Sequence, residues 1–105
     1  MSKTVKTAQG EFHDSESGLT LAAAELTITS HRKLTAAQEL AYSIVGKVSG
    51  FRHDLVGKTC LLVIGKTVRG EVELLATGPR SSTSTTFEIR PVSPIWRERT
   101  WFESL

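Results

Sequence analysis

The chain is poor in cysteine and in concentrated charge, and each shortage removes a class of protein. Its single cysteine, Cys60, excludes an internal disulfide, so the fold rests on its core and suits a reducing compartment. Thirteen Lys and Arg face eleven Asp and Glu, and the signs interleave from Lys3 to Arg99 with no dense basic run. Nucleic-acid proteins usually gather their cations, because affinity comes from displacing counterions along the phosphates. No apolar stretch nears the roughly 20 residues of a membrane span. The opening MSKTVKTAQGEFHDSESG lacks the apolar centre of a signal peptide, so the cytoplasm is the expected location. GFRHDLVGK lacks the GxxxxGK[ST] phosphate cradle, and His13, His31 and His53 stand far apart with no ligand spacing. The carboxylates form no obvious pair for acid–base work. Cys60 opens an apolar run, which supplies neither the exposure nor the lowered pKa of a nucleophile. The expectation is a non-enzymatic protein with no catalytic residue, cofactor, metal or small-molecule substrate.

What is present is an ordinary globular composition, 39% hydrophobic over 105 residues, enough for one domain. Residues 1–18 are polar and read as an N-terminal arm or a loose first strand, with 19–105 as a single β-rich domain. In AAAELTITS, Ala22, Ala24, Leu26 and Ile28 share one parity, the period of a half-buried strand. Thr35 and Gln38 have capping-box spacing, and Ala37, Leu40, Ala41, Ile44 and Val48 fall on one helical face, predicting an amphipathic helix over about 35–47. Phe51 and Leu55 are expected to pin the following connector to the core. CLLVI, Cys60–Ile64, is a buried strand, and Gly65-Lys66 suits a two-residue type II′ hairpin. The return strand alternates cleanly, with Val68, Gly70, Val72, Leu74 and Ala76 on the inward side; Gly70 there signals a close backbone approach or a bulge. After the serine–threonine loop, Phe87 and Ile89 face inward, and Pro91 and Pro94 break the ladder. IWRERTWF completes the pattern as a last strand with an aromatic on each face. The fold class is α+β, β-rich: a small antiparallel sheet or partly open barrel of about five strands with one helix.

That last strand carries the candidate site. Trp96, Arg97, Arg99 and Trp101 combine the residue types over-represented at interface hot spots, and Arg69 and Lys66 extend the row. The same types stack on single-stranded bases, so an OB-like nucleic-acid module using Arg97, Arg99, Arg69, Lys66 and Trp101 is the alternative. Leu55, Gly57 and Lys58 entering a strand, Gly70 and Val72 on the return strand, a variable loop, and Pro91 or Pro94 before Trp96 together resemble the first β-domain of phage baseplate-hub and VgrG-type spike proteins. The VSP segment before Ile95 departs from that spacing. The resemblance implies a structural, ring- or partner-packing role, a virion-associated location for a phage or mobile-element protein, and no catalytic residues. The expected function is a protein-interaction, structural or inhibitor module that binds a protein partner or its own copies through the C-terminal strand.

Overall fold

A computed structural model describes residues 4–30, 42–65, 67–77, 83–98 and 100–105. Six antiparallel strands close into a barrel: β1 (Thr4–His13), β2 (Thr20–Ser30), β3 (Tyr42–Ser49), β4 (Thr59–Ile64), β5 (Val68–Ala76) and β6 (Ser84–Pro91). Two meanders, β1-β2-β3 and β4-β5-β6, are joined by β3 on β6 and by β1 on β4. The predicted β-rich antiparallel barrel is therefore present, with closure and a sixth strand in place of a partly open five.

The period-2 pattern builds it. Leu26 and Ile28 of β2, Val72 and Leu74 of β5, and Phe87 and Ile89 of β6 are all buried, as their parity requires. Leu62 and Cys60 of β4 complete the inner row, while Leu61 and Val63 are half-buried on the outer side. Each fully buried Leu, Ile or Phe contributes on the order of 1.5–3 kcal/mol from removal of its apolar surface from water.

Three expectations need correction. The helix over 35–47 is overturned where the structure describes it: Tyr42 to Ser49 is strand β3, strictly alternating buried and exposed. Ile44 and Val48 satisfy both a helical stripe and a strand row, and β-branched side chains beside two neighbouring ladders decide for the strand. Gly46 faces Ile89 in the core, where an added Cβ would lie 2.9 Å from the Ile89 Cδ1 methyl. The proposed cap, Thr35 and Gln38, lies outside the described residues. The first hairpin loop of the second meander is longer than expected: Ile64 pairs with Val68, leaving three residues between, although Gly65 does take the positive φ of 64°. Phe51 does not pin its connector. It is 54% exposed and stacks on His53 at 4.3 Å between centroids, while Leu55 alone of the pair is buried.

Of the two readings of the N-terminal segment, Thr4–His13 is a barrel strand. Its inner row is Lys6, Ala8, Gly10 and Phe12. The turn into β2 is held by Asp14, whose carboxylate accepts from the Glu16 and Ser17 amides at 2.8 and 3.2 Å. Those two bonds hold its carboxyl below the usual range. At the same end, Thr85 ties the β3–β4 connector to β6: its hydroxyl donates to the Gly50 carbonyl at 2.7 Å and accepts from the Arg52 amide at 2.8 Å. Among the described residues, no helix is long and apolar enough to cross a membrane.

Candidate functional site

The C-terminal segment is the largest correction. Ile95–Phe102 is not a strand. Pro94–Arg97 is a 3₁₀ turn and Thr100–Glu103 a single helical turn, α1. Ser93 and Pro94 start the first: proline fits the first helical position, where no amide donor is needed, and the Ser93 hydroxyl accepts from the Ile95 amide at 3.5 Å. Both tryptophans turn inward. Trp96 is 1% and Trp101 3% exposed, and they meet edge to face with centroids 5.1 Å apart.

The tail is thus a plug at one end of the barrel. Trp101 and Phe102 each pack on Tyr42 at 4.9 Å between centroids. The Trp96 indole N–H donates to the Glu71 carbonyl at 3.1 Å, and the Trp101 indole N–H to the Trp96 carbonyl at 3.3 Å. Burying an indole without a partner is costly, so these bonds fix the plug as well as fill the opening. Lys6 latches it from β1: its ammonium donates to the Phe102 carbonyl at 2.9 Å and lies 4.6 Å from that ring's centroid. The close approach expected at Gly70 is real. A Cβ there would lie 2.7 Å from Trp96 Nε1 and from Ile95 Cγ2, so the indole rests on bare backbone.

The predicted site residues are consequently divided. Trp96 and Trp101 are interior; Arg97 is exposed beside them; Arg69 is exposed on the outer row of β5. Lys66 and Arg99 lie outside the described residues. No aromatic–arginine ribbon faces solvent at these described positions, and that contact surface is lost.

A different surface is left. β1 pairs with β2 along its whole length, but with β4 only over Gly10–His13. Among the described residues, Thr4 to Gln9 therefore has a strand partner on one side alone, and no other backbone group bonds to it. Val5, Thr7 and Gln9 form its exposed outer row, Val5 at 57%. Beside it lies a shallow depression of about 440 Å³ lined by Gln9, Gly10, Glu11, Ala23, Val63 and Gly65. The sequence reading leaves this segment as an arm or a loose first strand and names none of these residues as a site.

The titratable groups add little chemistry. Burial pushes the Cys60 thiol up to about 11, so it is protonated and shielded at neutral pH. The Arg52 guanidinium, 3.1 Å from Asp54, holds that exposed carboxyl below its usual range. His13 contacts Glu11 at 3.0 Å. No group of three or more metal-capable side chains converges among the described residues. No family model, curated protein or solved structure matches this chain.

Proposed function

We propose that this chain is a non-enzymatic protein-interaction or structural module that joins another polypeptide by strand addition at the open edge of β1. The observation that carries this reading is the one-sided pairing of Thr4 to Gln9. Backbone N–H and C=O groups along such an edge are ready-made partners for an extended segment, and main-chain bonds supply affinity without a pocket. Natural edges are commonly blunted by outward charge, proline or a bulge. Here the outward row over this stretch is Val5, Thr7 and Gln9, all uncharged, and the one lysine, Lys6, is engaged with Phe102. The resemblance to baseplate-hub and spike domains points the same way, to a part that packs against copies or partners.

The nucleic-acid alternative gains no support from charge placement. The outer rows of the strands carry Glu11, Glu25, Glu71, Glu73 and Glu88 against Lys47, Arg69 and Arg90. These described rows offer a phosphate backbone mixed charge and no basic stripe, and Trp101, which would stack on bases, is inside.

The test is capture from the native host with full-length wild-type bait beside Val5→Lys and Thr7→Lys baits, read by mass spectrometry. The reading expects a defined protein set held by the wild type and lost by both edge variants. Equal capture by all three baits would refute it, and retention of nucleic acid that fades steeply with salt would favour the alternative.

A further inference from the structure

Resting on the strand-addition reading, we infer that the occupant of the β1 edge is a second copy of this chain, paired antiparallel β1 to β1 about a two-fold axis through Thr7. The symmetry follows from sheet geometry. Two identical edges that pair antiparallel are related by an axis perpendicular to the sheet, and directly opposed residues then point to the same face. A single residue must therefore face its own copy.

The free edge limits which residue that is. Gly10 already pairs with Ile64, so the partner's strand cannot extend past Gln9. Within Thr4 to Gln9, two registers allow five opposed pairs: one centred on Lys6 and one centred on Thr7. The Lys6 register sets two ammonium-bearing side chains against each other, an arrangement that like charge disfavours. The Thr7 register sets Thr7 on its copy, Lys6 against Ala8 and Val5 against Gln9. Threonine pairs are favourable across strands, and no charge meets its like.

The same register gives the exposed valine a destination. Val5 of one copy lies opposite Gln9 of the other, at the mouth of the depression lined by Gln9, Gly10, Val63 and Gly65. Because the axis is two-fold, this knob-to-hollow contact occurs twice. A foreign strand would meet the edge but supplies no such reciprocal match.

Disulfide trapping tests both the occupant and the register. Directly opposed residues have Cα atoms about 4.5 or 5.5 Å apart, within the roughly 4.4–6.8 Å range that a disulfide bridges. Thr7→Cys should cross-link to most of the chain under mild oxidation, because its own copy faces it and the native Cys60 is buried. Val5→Cys should not, since the two copies of residue 5 are displaced by four residues, roughly 14 Å along the strands. Mixing Val5→Cys with Gln9→Cys should restore the link as a heterodimer. Light scattering should show the wild type as a dimer, and Thr7→Lys should weaken it at least tenfold, with circular dichroism unchanged to confirm the fold.

A wild-type monomer at high micromolar concentration, or Thr7→Cys that fails to cross-link, overturns the inference. So does Val5→Cys linking as readily as Thr7→Cys. Failure here is separable from failure of the broader reading: a monomeric chain whose Val5→Lys and Thr7→Lys variants still lose a defined host protein retains strand addition with a foreign occupant. If those variants lose nothing, both fall.

Discussion

Replacing Gly70 with alanine adds one methyl at the point where the tail meets the barrel. The backbone there has no positive φ, so alanine fits the strand conformation and would by itself gain about 0.4–1 kcal/mol from a stiffer unfolded chain. The cost is steric. The new Cβ would stand 2.7 Å from Trp96 Nε1, 2.8 Å from Trp96 Cε2 and 2.7 Å from Ile95 Cγ2. Relief requires the indole to rise off the strand, and the same movement stretches its 3.1 Å bond to the Glu71 carbonyl. Overpacking of this kind costs about 1–3 kcal/mol and a weakened buried hydrogen bond about 1 more, so Gly70→Ala should destabilise by about 2 kcal/mol. For a domain of this size that lowers the melting temperature by roughly 10 °C. Urea and thermal unfolding, followed by circular dichroism at fixed protein concentration, measure it. The decisive control is the same substitution in a Trp96→Leu background, where no indole remains to collide. The Gly70→Ala cost should fall there by about 1 kcal/mol or more, a coupling expected only for residues in contact. A Gly70→Ala protein as stable as wild type, or an identical cost in both backgrounds, would refute the plug.

Three further outcomes follow from the same contacts. Because burial raises the Cys60 thiol from its ordinary 9.0 to about 11, the unfolded chain loses that proton first. Stability should be intact below pH 9 and decline by about 2 kcal/mol as the pH rises toward 11, a slope that Cys60→Ala flattens in urea titrations across that window. Lys6→Met removes both the 2.9 Å bond to Phe102 and the cation over its ring; a loss of about 1–2 kcal/mol is expected, and unchanged unfolding would show that the latch contributes nothing. Thr85→Val leaves the Arg52 amide and the Gly50 carbonyl without their shared hydroxyl, which should cost about 1–3 kcal/mol and speed hydrogen exchange at Arg52.

Parity made much of this barrel readable. The inner rows of β2, β5 and β6 are the residues that strict alternation selects, and Pro91 does end β6. Where parity failed, a second physical pattern fitted the same letters. Ile44 and Val48 lie four apart, so they satisfy a helical face and a strand row alike; only the flanking ladders on β2 and β6 separate the two. The tail misled in another way. Trp96 and Trp101 differ in parity, which looks like a two-faced ribbon, yet Ser93-Pro94 is a helix-start signal and outweighs alternation over so short a run. β1 is legible only as one of two readings, an arm or a loose first strand, because its inner row begins Lys6, Ala8, Gly10, which no apolar count would select. Those small residues make sense only once the core around them is known: a Cβ on Gly10 would lie 2.7 Å from Leu26 Cδ1. The candidate edge depends on which strand stops short of which neighbour, and strand length against strand length is not written in any local pattern.

That stagger also links the two halves of the structure. Strands of unequal reach leave one-sided stretches even in a closed barrel, and this chain has them on several strands, among them β1, β5, the start of β2 at Thr20 and the start of β6 at Ser84. Val68 to Glu71 pairs with β4 but extends beyond β6, which starts its ladder with β5 at Pro91 opposite Val72. There the tail intervenes. The amides of Val92 and Ser93 reach the Glu71 carbonyl at 2.9 and 3.0 Å, and the Trp96 indole reaches it at 3.1 Å. One edge is thus closed by the chain's own C-terminal segment, at the expense of both tryptophans as surface residues. Among the described residues, the tail's hydrogen bond to β1 joins the Phe102 carbonyl to the side chain of Lys6 and not to the strand's backbone. The first outward charge on β1 is Glu11, and it stands where β4 already pairs, so it guards nothing open. Among the described residues, the fold seals the β5 edge from within and leaves the backbone of Thr4 to Gln9 unsealed and its outward row uncharged, which is where the proposed strand addition falls. The two tryptophans, buried and bonded through their indole N–H groups, close the barrel's end beside it.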